Sequence, residues 1–159
     1  MISQGRVFWK RVVLQALAAG VGGAVAIDLY LWATTLLPHG EGIGVLWRWI
    51  ASTVFGKPAL AQANAAWVGA IIHAIVSIGW AGGYAYVAAT RPATTRRWIV
   101  AGIVYGLIVY TIMQVILLAD NNFTYPPTPN DFVNALVAHS VFFGIPVAYI
   151  VHVMQAQRS

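Results

Sequence analysis

Three ionisable side chains stand where charge is costly. Asp28, His73 and His139 each lie inside a long apolar run of this 159-residue chain. His73 is in AWVGAIIHAIVSIGWAGGYAYV (66–87) and His139 in FVNALVAHSVFFGIPVAYIVHVM (132–154). An ionisable group inside a membrane span usually faces a bundle interior or a wet cavity, and often marks function. Two histidines on opposite helices can ligate a haem iron axially. Two imidazoles and one carboxylate can hold a divalent metal. An aspartate beside a histidine can move the imidazole across neutral pH and pass protons. The plainest reading is structural: an Asp–His hydrogen bond that fixes helix register. His39 and His152 fall near the ends of their runs and read as solvated.

The chain around these groups has the composition of a membrane protein. It is 60% hydrophobic and 8% charged, whereas a soluble domain carries about a quarter charged residues. Too few charges are present to coat a water-facing surface, so the bilayer is the matching solvent. The net charge of +5 comes from short clusters beside apolar runs, a topology signal rather than a nucleic-acid face. The absence of cysteine excludes disulfides, iron–sulfur clusters and thiolate zinc sites. No GxSxG, P-loop or GxGxxG motif is present, and GVGG at 20–23 sits inside a span. No soluble-enzyme motif appears, and an enzyme is the third reading: two histidines and one aspartate can serve a membrane oxidoreductase.

Apolar runs at about 12–37, 65–88, 98–119 and 132–153 predict four transmembrane helices in a single membrane domain, 1–159. The first has 26 residues with Asp28 its single charge. At about 1.5 Å per residue it reaches roughly 39 Å, enough to cross a hydrocarbon core of about 30 Å. A cleavable signal peptide competes here, with Ala24-Val25-Ala26 as its cut, but the apolar run continues beyond it. Val45–Phe55 is too short to span. Trp47, Arg48 and Trp49 predict an interfacial helix in the headgroup region of the first outer loop, with a loop helix packed on the bundle as the alternative. Pro58 predicts the first turn of the next helix. Thr128, Pro129 and Asp131 predict a capped start for the last one.

The helices place the three groups at one level. Asp28 lies nine residues before Leu37, His73 eight after Ala65 and His139 seven after Phe132. Each is therefore about 10–14 Å below the outer boundary. Small residues at four-residue spacing lead to them: Ala16, Gly20 and Ala24 to Asp28, and Gly69 to His73, then Ser77 and Ala81. Gly102 and Gly106 continue to Tyr110 and Gln114. Small ridges mark helix–helix contacts in lipid. One cluster is expected, of Asp28, His73 and His139, with Tyr110 and Gln114 nearby.

The two halves also align. AWVGAIIH (66–73) lies over FVNALVAH (132–139) at an offset of 66, and AAGVGGAVA (18–26) over VAGIVYGLI (100–108) at an offset of 82. Two repeated hairpins of one orientation follow, related by a pseudo-two-fold axis along the membrane normal. The second hairpin, with YGLIVYTIMQ (105–114), a proline-containing outer loop and AHSVFFGIPVAY (138–149), resembles the YagU-like bacterial inner-membrane proteins. The resemblance covers about half the chain. It implies a four-helix protein of the bacterial inner (cytoplasmic) membrane and supplies no catalytic residues.

These features predict an all-α membrane protein with an Asp/His centre, a binding or transport module for metal, haem or proton. The alternative is a non-catalytic accessory subunit of a membrane complex. The expected partners are the bilayer and membrane proteins or further copies of the chain, with no nucleic acid. Orientation follows from the basic residues. Arg6, Lys10, Arg11, Arg91, Arg96, Arg97 and Arg158 lie on one side, and Arg48 and Lys57 on the other. The excess places both termini in the cytoplasm. A reporter that works only in the cytoplasm should be active at the C-terminus and silent in the 121–130 loop; the inverse pattern would overturn the orientation.

Overall fold

The computed structural model describes residues 2–91, 97–119 and 129–157. Arg96, Asp120, Thr128 and Arg158, and with them the expected N-cap and most of the second outer loop, lie outside the described residues. Among those described, every regular element is helical. Helix α1 is Ile2–Leu31, α2 Gly44–Phe55, α3 Ala65–Thr90 and α4 Trp98–Ala119. Helix α5 is Pro129–Ala156, made of Pro129–Val137, a π-helical segment Ala138–Gly144, and Ile145–Ala156.

Four of these five helices are long and apolar enough to cross a membrane: Gly5–His39, Ala65–Thr90, Trp98–Leu118 and Pro129–Ala156. Their outward faces agree with that. Trp67 is 72% exposed, Leu118 65% and Ile75 64%. Apolar surface of that extent belongs against acyl chains rather than water. The chain is a small multi-pass helical membrane protein.

The first helix departs from its expected bounds. It begins at Ile2, so Arg6, Lys10 and Arg11 ride on it instead of preceding it. A helix hydrogen-bonds its own backbone in lipid and in water alike, so the membrane boundary does not end it. At its outer end it widens into a π segment, Trp32–Leu36, then tightens into a 3₁₀ turn, Leu37–His39. Both π segments stop two residues before a proline, Pro38 and Pro146. A proline ring presses on the carbonyl four residues back and donates no hydrogen bond. A π turn lengthens the ring of each bond and absorbs that mismatch.

Pro58 does not open α3. It sits in a separate 3₁₀ turn, Lys57–Ala61. Gln62 is extended at φ −77° and ψ 138°, which breaks the chain before Ala65.

Glycines set how closely the helices approach. On α1, Gly20 faces the Ile78 backbone of α3, where an added Cβ would overlap it. On α4, Gly102 and Gly106 meet the α5 backbone at Gly144 and at His139–Ser140. Gly23 of α1 faces Val147 and Phe143 of α5. Between them runs a core of small and β-branched residues: Ala19, Ala81, Ala85, Ala138, Val147, Ala148 and Val151, all fully buried. Helix α1 thus packs on both α3 and α5, and α4 on α5. Helices α3 and α4 join through Tyr105, whose hydroxyl donates to the Trp80 carbonyl and whose ring meets Tyr84. Beyond that join toward the outer side they stand apart among the described residues.

Helix α2 is pressed onto α3. Gly69 lies directly beneath the Trp47 carbonyl, with no room for a Cβ. Gly69→Ala should therefore push α2 off α3 and destabilise the protein by about 1–3 kcal/mol, the usual penalty of overpacking. Gly79 faces open space, with no atom within 4 Å of where a methyl group would stand. Gly79→Ala should be neutral or stabilising by up to about 1 kcal/mol. Thermal unfolding in detergent separates the two; equal midpoints would remove the close α2–α3 contact.

Candidate functional site

Asp28 is the hub. It is only 8% exposed, and both carboxylate oxygens are engaged. Oδ1 lies 2.8 Å from His73 Nδ1. Oδ2 accepts a 3.0 Å hydrogen bond from Trp47 Nε1. The separation from His73 is that of a charge-assisted contact. The ring N–H is not well aligned with Oδ1, and neither atom has another partner among the described residues. A carboxylate only accepts, so the proton on this side of the imidazole is on Nδ1; in the neutral ring Nε2 then keeps its lone pair. Three elements thus meet at one carboxylate: α1 by Asp28, α3 by His73 and α2 by Trp47.

The structure joins Asp28 to His73, as the shared depth and small ridges predict. Trp47 is the partner that sequence reading missed. It was expected in the headgroup region, but its indole turns inward, half-buried, while Arg48 and Trp49 are exposed. A signal was available: a carboxylate buried in lipid needs donors for two oxygens, and a buried indole N–H needs an acceptor. Arg48 reaches back to the Leu60 carbonyl at 3.4 Å, a weak contact that trims the loop.

His139 stands on the π segment of α5. Its Nδ1 lies 2.8 Å from the Ala135 carbonyl. A carbonyl also only accepts, so Nδ1 donates and Nε2 again keeps its lone pair. Tyr110 braces the ring, with centroids 5.3 Å apart. Tyr110 is buried, whereas Gln114 is half-buried and joins neither histidine. Nearer the outer end, Asn134 links α5 to α1. It accepts from the Tyr30 hydroxyl at 2.6 Å and donates to Thr35 at 3.0 Å. Phe142 stacks on Tyr30 with centroids 4.0 Å apart. These contacts fix α5 against α1 on both sides of His139.

Where α3 and α4 part, they leave a cavity of about 670 Å³. Asp28, His73 and His139 all line it, on walls otherwise almost wholly apolar, among them Leu31, Ile50, Trp80 and Phe143. Val54, Val76 and Ile116 line the cavity yet are exposed, and so mark its mouth, bordered by α2, α3 and α4. Small-molecule sites fall at about 300–1,000 Å³, with a few polar groups on apolar walls. The expected metal triad is not assembled: among the described residues no group of three or more metal-ligating side chains comes together. His139 spends its Nδ1 on its own helix and is held apart from the Asp28–His73 pair.

No family model, curated protein or solved structure matches this chain.

The Asp28 contacts predict strong coupling. Asp28→Asn and His73→Ala should be non-additive in a double-mutant cycle of thermal stability, by about 1 kcal/mol, the usual scale of interhelical bonds in membranes. Trp47→Phe, which deletes only the N–H, should couple to Asp28→Asn in the same way. Additivity of both pairs would deny the carboxylate its role as the meeting point.

Proposed function

We propose that this protein is a small integral-membrane binding module whose ligand occupies the cavity walled by Asp28, His73 and His139. One observation carries the reading: the carboxylate and both histidines deep within the spans line the same largely apolar space, with the exposed apolar side chains of Val54, Val76 and Ile116 at its edge. A purely structural Asp–His pair accounts for the 2.8 Å contact. It accounts neither for a void of this size, which sacrifices packing contacts, nor for a second histidine on its wall.

The ligand is a lipid-soluble organic molecule. A bare divalent metal lacks a third ligand here. Haem has its two histidines, but its propionates would meet no lysine or arginine on the wall and one carboxylate, Asp28.

The same reading takes the chain as two related hairpins. The offset of 82 carries Gly20 to Gly102 and Asp28 to Tyr110, and the offset of 66 carries Ile78 to Gly144 and His73 to His139. Gly20 abuts Ile78 and Gly102 abuts Gly144. Asp28 meets His73 and Tyr110 meets His139. Matched positions making matched contacts support a duplication in which one copy kept a carboxylate beside its histidine and the other a phenol. Bacterial inner-membrane residence, cytoplasmic termini and kinship with the YagU-like proteins belong to the same proposal, on the basic-residue bias and the 105–114 and 138–149 segments.

The test uses an apolar fluorinated probe, 1-fluoro-4-hexylbenzene, followed by fluorine NMR in detergent. Wild-type protein should show a bound resonance apart from the micelle resonance. Val76→Trp adds bulk at the mouth, where the side chain is not part of the core, and should abolish that resonance in protein that still folds. Absence of a bound resonance in the wild type, or its persistence in Val76→Trp, would dismiss the cavity as a binding site.

A further inference from the structure

We infer that the ligand of this cavity is a lipid-soluble quinol: a hydroxylated aromatic ring with two O–H donors on opposite edges and a hydrocarbon tail. The inference rests on the binding-module reading and adds the chemistry of the head group. It starts from the two imidazoles. His73 Nδ1 stands 2.8 Å from Asp28 Oδ1, and His139 Nδ1 stands 2.8 Å from the Ala135 carbonyl. In its neutral form each ring then carries its lone pair on Nε2. Neither Nε2 has a hydrogen-bond partner among the described residues, and both histidines line the cavity. The site thus offers two hydrogen-bond acceptors and no matching donor from these rings.

The acceptors come from different helices. His73 is on α3 and His139 on α5, and these two helices pack on each other through the Ile145–Ala156 half of α5, away from His139. The two rings therefore line the cavity from different helices. A molecule that satisfies both must be wide enough to bridge them and must donate at both ends. A single alcohol or a fatty acid donates at one end only. A quinone presents two carbonyls, which are acceptors and face lone pairs. A quinol presents two hydroxyls separated by an aromatic ring.

The walls suit the rest of that molecule. Trp80 and Phe143 offer aromatic faces for ring packing. The mouth at Val54, Val76 and Ile116 is apolar and faces lipid, so a hydrocarbon tail can remain in the bilayer. Among the described residues the wall carries no lysine or arginine, which fits a neutral head group better than an anionic one. Asp28 also gives His73 the arrangement of a proton acceptor: a carboxylate behind the imidazole stabilises the imidazolium that forms when Nε2 takes a proton. The proposal is of binding; the site itself contributes hydrogen bonds and not electrons.

Anaerobic decylubiquinol is the probe, titrated against the bound fluorine resonance of 1-fluoro-4-hexylbenzene. It should displace that resonance, and do so at lower concentration than decylubiquinone, which shares its ring and tail. His73→Asn keeps a donor toward Asp28 and removes the far nitrogen; His139→Phe keeps the ring against Tyr110 and removes both nitrogens. Each should weaken decylubiquinol by about three- to tenfold, the loss of one hydrogen bond, when its affinity is expressed relative to that variant's own affinity for the fluorinated probe. Equal displacement by quinol and quinone, or full quinol affinity in both variants, would overturn the quinol assignment. So would purified protein carrying a Soret band that both variants lose, which would give the two Nε2 atoms to haem iron. If the fluorinated probe binds wild type and not Val76→Trp while decylubiquinol displaces nothing, the quinol fails and the binding module stands. If the probe itself never binds, both readings fall.

Discussion

A carboxylate inside a membrane bundle must be satisfied on the spot, and in this protein that requirement organises three helices. Asp28 is 8% exposed and divides its oxygens between His73 and Trp47. Each partner arrives on a different element, so one side chain fixes α1 against α3 and clamps α2 over both. In water such a contact contributes little, because solvent competes for every donor. Within lipid the competing solvent is gone, and an unpaired group is expensive. The pair therefore acts less as glue than as a register pin: α1 and α3 can slide or rotate only by stripping the carboxylate of its partners.

Close packing gives that pin its accuracy. Helices approach backbone to backbone where Gly20 of α1 meets Ile78 of α3 and Gly102 of α4 meets Gly144 of α5. In lipid, where no hydrophobic effect drives helices together, such close approach supplies the van der Waals contact that does. Gly69 does the same for α2, letting the Trp47 backbone settle on α3 so that the indole reaches Asp28. Polar specificity and steric specificity are thus two views of one interface.

The packing is unequal around the bundle. Helix α1 lies against α5 through Gly22 and Gly23, whereas α3 and α4 are in sparse contact among the described residues, joined at Tyr105. That inequality creates the cavity. A tightly packed α1–α5 seam and an open α3–α4 seam put the histidines of α3 and α5 on the wall of the same space, with α2 laid across its mouth. The π segment at Ala138–Gly144 contributes too, since it carries His139 and turns its Nδ1 onto the Ala135 carbonyl.

The spans were legible because their signal is compositional: some twenty consecutive apolar residues admit one solution in a bilayer, an internally bonded helix. Asp28 and His73 were legible as a pair because both sit at the same depth on ridges of small residues, and depth along a helix can be counted from sequence. Trp47 was not, because a tryptophan beside an arginine at a membrane edge fits a headgroup anchor equally well; only the contact of α2 with Gly69 aims the indole inward. The π segments escaped notice because a proline's effect depends on how the backbone ahead of it yields. The cavity escaped for a deeper reason. It is the absence of a contact between α3 and α4, and sequence periodicity records which faces are apolar, not whether two apolar faces touch each other or enclose a space. Composition and depth determined that the chain crosses the membrane with charge inside it. Tertiary packing alone decided that Asp28 and both histidines line one cavity.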